Sequence, residues 1–138
     1  MELKRINDTV SVSPQISVAD IAALKAAGFT TIVNNRPDGE SPDQPTGAEI
    51  EAAAKAAGLA YIAIPLGREG VSPDMVDATK AALEGSSGPV LAYCRSGTRS
   101  TTLWALSQAG KLPATEIISA AANAGYDMSH LAGHLSTR

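Results

Sequence analysis

One cysteine, Cys94, stands alone among 138 residues. An internal disulfide is therefore excluded, and so is a Cys-x-x-Cys redox pair. Aromatic residues are scarce, at 4%, with one Trp and one Phe. Packing then falls to aliphatic side chains and to alanine-rich helices lying close against a sheet. Lysine and arginine form no cluster in a chain of net charge -3, which leaves nothing to support nucleic-acid binding. No apolar run approaches the length of a membrane span, and Met1 to Arg5 lead into no apolar stretch of signal-peptide type. The expectation is a cytoplasmic protein with neither nucleic acid nor membrane among its partners. What is present, 44% hydrophobic and 18% charged, suits a single domain over residues 1–138 with its own core.

Helix and strand signals alternate along the chain. Thr9 to Ser13 alternates apolar and polar residues and predicts an early strand. Ser17, with Asp20 in the capping-box place, opens a first helix that Gly28 stops. Thr30 to Val33 is β-branched throughout and reads as a buried strand. Thr46 with Glu49 opens a second helix, closed by Gly58, and Ala60 to Ile64 forms the next strand. Ser72-Pro73 starts a third helix. Pro89 to Tyr93 is another short apolar strand, with a helix from about Ser100. Pro113 to Ala124 and Ser129 to Leu135 close the chain as helices. Connections this long exclude hairpins. They predict an α/β fold, a mostly parallel central sheet of about four to five strands with helices on both faces.

Three of those strands end in polar loops: Asn34 to Gly39, Gly67 to Glu69 and Cys94 to Arg99. In a parallel sheet the carboxyl ends of the strands form the ligand crevice. The last loop, Cys94-Arg95-Ser96-Gly97-Thr98-Arg99-Ser100, carries the chemistry. A turn from strand into helix gathers backbone N–H groups and adds the positive end of the helix dipole. That field favours an anion and the ionised form of a thiol. Cys94 is accordingly expected to be a nucleophile, facing the amides and open to reagents. Arg99 forks onto an oxyanion, Ser100 holds the thiolate, and Arg95, Ser96, Gly97 and Thr98 form the binding loop. Arg36, Asp38, Arg68 and Glu69, on the neighbouring loops, are candidate accessory residues. Asn34 and Asn35 are expected to brace the catalytic loop, and Trp104 to belong to the core. His130 and His134 share a helix face without a third ligand, so no metal site and no cofactor are expected.

The order of Asn-Asn-Arg-Pro-Asp-Gly-Glu, an Ile-Pro strand end and Tyr-Cys-Arg-Ser-Gly-Thr-Arg-Ser resembles a bacterial family, the beta-lactamase-hydrolase-like phosphatase-like domain. The resemblance covers about Ile6 to Leu135. It implies a fold of the cysteine-phosphatase, dual-specificity type, and members are often labelled sulfurtransferases. It also implies, as a partner, a metallo-beta-lactamase-like persulfide-handling domain, to which such domains are fused in some proteins. A chain of this length then reads as a stand-alone form or an excised domain.

Two features divide these labels. Cysteine phosphatases place five residues between cysteine and arginine after a histidine; here four separate Cys94 from Arg99, and Tyr93 stands in the histidine's place. Rhodanese-type sulfurtransferases share the shorter loop. The loop Pro65 to Gly70 also lacks the Asp that would protonate a leaving alkoxide. The expectation is therefore a cysteine-dependent sulfurtransferase of rhodanese type. Cys94 takes sulfur from thiosulfate or a low-molecular-weight persulfide as a persulfide and yields it to a small thiol acceptor. The alternatives are a phosphatase acting on a phosphate ester through a phosphocysteine at Cys94, and a non-catalytic anion-binding module.

Overall fold

The computed structural model describes residues 1–136. Five strands form one sheet: β1 (Lys4–Arg5), β2 (Val10–Ser13), β3 (Thr31–Asn34), β4 (Ala60–Ala63) and β5 (Val90–Tyr93), in the order β1-β2-β5-β3-β4. β2, β5, β3 and β4 run parallel, and only β1 is antiparallel, on β2. The two-residue strand β1 carried no sequence signal. Helices α1 (Asp20–Ala26), α2 (Gly47–Ala56), α3 (Pro73–Gly85), α4 (Thr98–Gln108) and α5 (Ala114–Asn123) make the crossovers and cover. A 3-10 turn, Ser129–Leu131, leads into α6 (Ala132–Ser136).

Local chemistry accounts for most boundaries. The Thr46 and Ser72 side chains accept the amides of Glu49 and Met75, three residues on, and open α2 and α3. At α1 the box is half made. The Asp20 carboxylate accepts the Ser17 amide, but the helix starts two residues later than the Ser17 signal implies, with no side-chain cap.

Side-chain alternation splits the core in two, as expected of a sheet covered on both faces. Ile32, Leu91 and Tyr93 pack with Ile21 and Leu24 of α1 and Ile50 of α2. Val33, Val90 and Ala92 pack on the opposite face with Leu103 and Trp104 of α4 and Ile117 of α5. Every β5 side chain is buried, and a one-residue slip would exchange its two faces, so the register is firmly set. Cys94 follows Val90 and Ala92 in this alternation and belongs to the α4 side. Tyr93 belongs to the α1–α2 side.

The register also aligns the loops. Asn34 pairs with both Tyr93 and Ala63, so β3, β4 and β5 end side by side. The three polar loops share one sheet edge.

Candidate active site

The loop after β5 is a backbone construction. β5 ends at Tyr93, the Ser13 carbonyl accepts the Cys94 amide, and the chain turns at once into α4. Gly97 sits immediately before that helix with φ +94°, a left-handed conformation that glycine adopts without strain. The turn brings the Gly97 N–H to 3.0 Å from Cys94 Sγ. Thr98, Arg99 and Ser100 are the first three residues of α4, so their amides have no carbonyl four residues back to bond. The thiol thus faces one backbone donor, the Gly97 N–H. It is also fully buried, so the expectation of a thiol open to reagents is not met by this arrangement of the surrounding side chains.

Arg99 joins the three loops. Its Nη1 and Nη2 donate to Glu40 Oε2 and Oε1, both at 2.8 Å, and Nη1 donates as well to the Leu66 carbonyl at 2.8 Å. The Glu40 hydrogen bond is the main reason that the Arg99 pKa lies above its ordinary value, opposed by burial and aided by Cys94 through charge and hydrogen bonding. Arg36, only 5% exposed, donates from Nε to Glu40 Oε1 at 3.0 Å, from Nη1 to Gln15 Oε1 and from Nη2 to Ser41 Oγ. The Gln15 backbone N–H in turn donates to the Arg95 carbonyl. Hydrogen bonding from Arg99, partly offset by desolvation and reinforced by Arg36, lowers the Glu40 carboxyl from 4.5 to about 2.

The other expected residues fall into place unevenly. Arg95 and Ser96 line the exposed rim, with Ser96 Oγ 3.1 Å from Thr98 Oγ1. Ser100 Oγ is buried without a hydrogen-bond partner, so it does not hold the thiol in this arrangement. Asp38 is drawn off as a cap, its carboxylate accepting the Gly47 amide of α2 at 2.8 Å. Arg68 is exposed. The Glu69 carboxylate folds over Gly67, where a Cβ would meet Oε2 at 3.1 Å, next to the Leu66 carbonyl that Arg99 grips. Asn34 and Asn35 do not brace the catalytic loop through their side chains. Asn34 bonds the Tyr61 hydroxyl and the Arg36 amide, Asn35 the Ile64 carbonyl. Their link to β5 is through the backbone: Asn34 pairs with Tyr93 in the ladder, and the Asn35 N–H donates to the Tyr93 carbonyl at 2.8 Å. Trp104 is core, 2% exposed.

Three contributors went unread in the sequence: Glu40, Gln15 and Tyr126. Tyr126 donates its hydroxyl to the Ser96 carbonyl at 2.9 Å and lies so close to Gly97 that a Cβ there would stand 2.2 Å from its oxygen. Burial, and then the charge of Cys94, raise its pKa. For Glu40 a signal existed in the four-residue spacing from Arg36. Nothing local announces Tyr126. A groove of about 590 Å³ lies to one side of the site, between Val71 and Val76, Thr102 and Leu106 of α4, and Leu131, and no residue from Cys94 to Arg99 lines it.

Comparison with known proteins places this arrangement. The model of the phosphatase-like domain of beta-lactamase hydrolase-like protein matches residues 2–111. A beta-lactamase hydrolase-like protein of Agrobacterium fabrum is 35% identical over 130 residues, which are 93% of this chain and 30% of that protein. The chain therefore spans under a third of the curated relative. A crystal structure of a candidate phosphatase from Neisseria meningitidis superposes with a TM-score of 0.85 at 31% identity, covering 99% of this chain and 98% of that one. Tk-PTP in its active form superposes with a TM-score of 0.74 at 18% identity, covering 96% and 92%. The fold is that of the cysteine phosphatases.

Proposed function

The chain belongs to the family of the beta-lactamase hydrolase-like protein phosphatase-like domain, and from that premise we propose that it is a cysteine-dependent phosphatase. One observation carries the reading: the Cys94 sulfur lies at a glycine turn that opens a helix, 3.0 Å from the Gly97 N–H, with an arginine on the same loop. This ranks the phosphate ester above the sulfur donor that loop length and the missing Asp favoured, because the family and the neighbouring structures are phosphatase-like along nearly the whole chain.

In the proposed reaction the Cys94 thiolate attacks phosphorus in line with the ester oxygen. An S–P bond forms as the P–O bond breaks. The loop amides and Arg99 hold the non-bridging oxygens, on which charge accumulates. The leaving oxygen takes a proton from the Glu69 carboxyl. Water then breaks the S–P bond, returning its proton to Glu69 and freeing phosphate and thiolate. Glu69 is chosen over Asp38 because Asp38 is committed to α2, whereas Glu69 stands on the loop that Arg99 grips through Leu66. Ser100, whose buried hydroxyl has no hydrogen-bond partner, is assigned to hold the thiolate once it forms.

Hydrolysis of an aryl phosphate that disappears in Cys94→Ser is the expected result. An absence of turnover from mildly acid to mildly alkaline pH defeats the proposal. In Glu69→Gln the loss should be ~10²–10⁴-fold on alkyl esters and much smaller on esters with a good leaving group. Sulfur transfer keeps one supporting observation, the four-residue spacing from Cys94 to Arg99. It predicts that thiosulfate leaves the Cys94 peptide heavier by one sulfur atom.

A further inference from the structure

Ser96 and Gly97 share one peptide group, and both of its polar ends are engaged. The Gly97 N–H lies 3.0 Å from Cys94 Sγ, while the Ser96 carbonyl accepts the Tyr126 hydroxyl at 2.9 Å. In a planar trans peptide these two groups point in opposite directions. Holding the oxygen outward therefore holds the N–H inward, on the sulfur. The glycine does not make that choice. Gly97 has φ +94°, and glycine populates positive and negative φ about equally. A half-turn of the peptide plane would carry φ to the negative side and present the Ser96 oxygen to Cys94. An acceptor in that place repels a thiolate and any anion bound over it. The two orientations thus differ little in backbone energy and greatly in chemistry.

Tyr126 stands on a rigid mount, 30 residues along the chain. It follows α5, whose end is closed by two bonds of 2.9 Å, from the Tyr126 N–H to the Ala121 carbonyl and from the Gly125 N–H to the Ala122 carbonyl. With Gly125 at φ +103°, this pairing fixes the direction in which the chain leaves the helix. The ring packs against the core on the α4 side.

We infer that Tyr126 is a positioning residue, whose hydroxyl, by holding the Ser96 carbonyl away from the site, keeps the Gly97 N–H on the Cys94 sulfur. The inference goes beyond the phosphatase reading: it concerns how the sulfur meets its amide and is indifferent to the group that Cys94 attacks.

The test is Tyr126→Phe, which keeps the ring and removes only the hydroxyl. In amide proton–nitrogen spectra, the Gly97 signal of the variant should shift more than any other in the loop. Its exchange with solvent should quicken ~5-fold, the factor implied by losing one such hydrogen bond. The amides of Leu91 and Ala92 in β5 should stay as they are. An unmoved Gly97 signal overturns the inference, and so does faster exchange spread evenly over the loop and β5, which is what a merely structural tyrosine would give. A second arm titrates inorganic phosphate calorimetrically into Cys94→Ser and into Cys94→Ser/Tyr126→Phe. Binding should weaken ~5-fold in the double variant; equal or tighter binding counts against the role of Tyr126. If Cys94→Ser binds no phosphate at all, the phosphatase reading suffers, and the Gly97 signal still decides the role of Tyr126.

Discussion

The loops after β5 and β3 meet at Arg99 and are built on opposite principles. Residues 94–99 make their site from the main chain: one amide on sulfur at 3.0 Å, a glycine at φ +94° and the open end of a helix. Residues 34–41 make theirs from side chains, with Arg36, Glu40, Ser41 and Gln15 in one network. Backbone donors cannot be retuned by substitution, but they cost no side-chain entropy and keep their direction. Charged side chains answer to pH and salt and must be held in place by one another. The molecule therefore keeps the amide on sulfur in the main chain and the charges beside it in side chains.

The hardest way to break that division is Gly97→Ala. A left-handed residue with a side chain costs roughly 1–3 kcal/mol, and the added carbon also meets the Tyr126 oxygen at 2.2 Å and ring carbon at 2.9 Å. Denaturant unfolding should show a loss of roughly 2–4 kcal/mol, together with loss of phosphate binding. A loss below half a kcal/mol would mean that the turn does not need glycine.

A pH series sharpens the contrast. The Glu40 pKa is about 2 in the folded protein against an ordinary 4.5, so its folded value is depressed. Its contribution to stability is fully present above pH 4.5 and is lost as pH falls toward 2. The melting-temperature gap between the wild type and Glu40→Gln should therefore narrow over that interval and stay flat above it. A constant gap contradicts the assignment.

The smallest effect is expected where the main-chain loop borrows one side chain. Tyr126→Phe removes a single hydrogen bond to the Ser96 carbonyl, which costs about 1 kcal/mol. If unfolding experiments find several times that, the loop depends on side chains as heavily as its neighbour does.

The same contrast explains what could be read from the sequence. Cys94, its glycine, the helix start and the flanking strand are contiguous, so the turn was visible at once. The caps at Thr46 and Ser72 were visible for the same reason. Arg99 meets Glu40 across 59 residues, and no spacing rule reaches that far. With two carboxylates on one loop, sequence alone offered no reason to send Asp38 to α2 and Glu40 to Arg99. Tyr93 was a landmark for what it replaced. Strand alternation turns it away from the site, and burial raises its hydroxyl pKa well beyond the ordinary tyrosine range.

The order of the strands has one more implication. β2 and β3 touch only through β5, which arrives after almost two thirds of the chain has been made. Until it slots between them, each has a raw flank and the sheet is two separate pieces. The segment that closes this gap also delivers the sulfur. The Gly97 amide that faces Cys94 is therefore brought to it by the same segment that joins the two halves of the sheet.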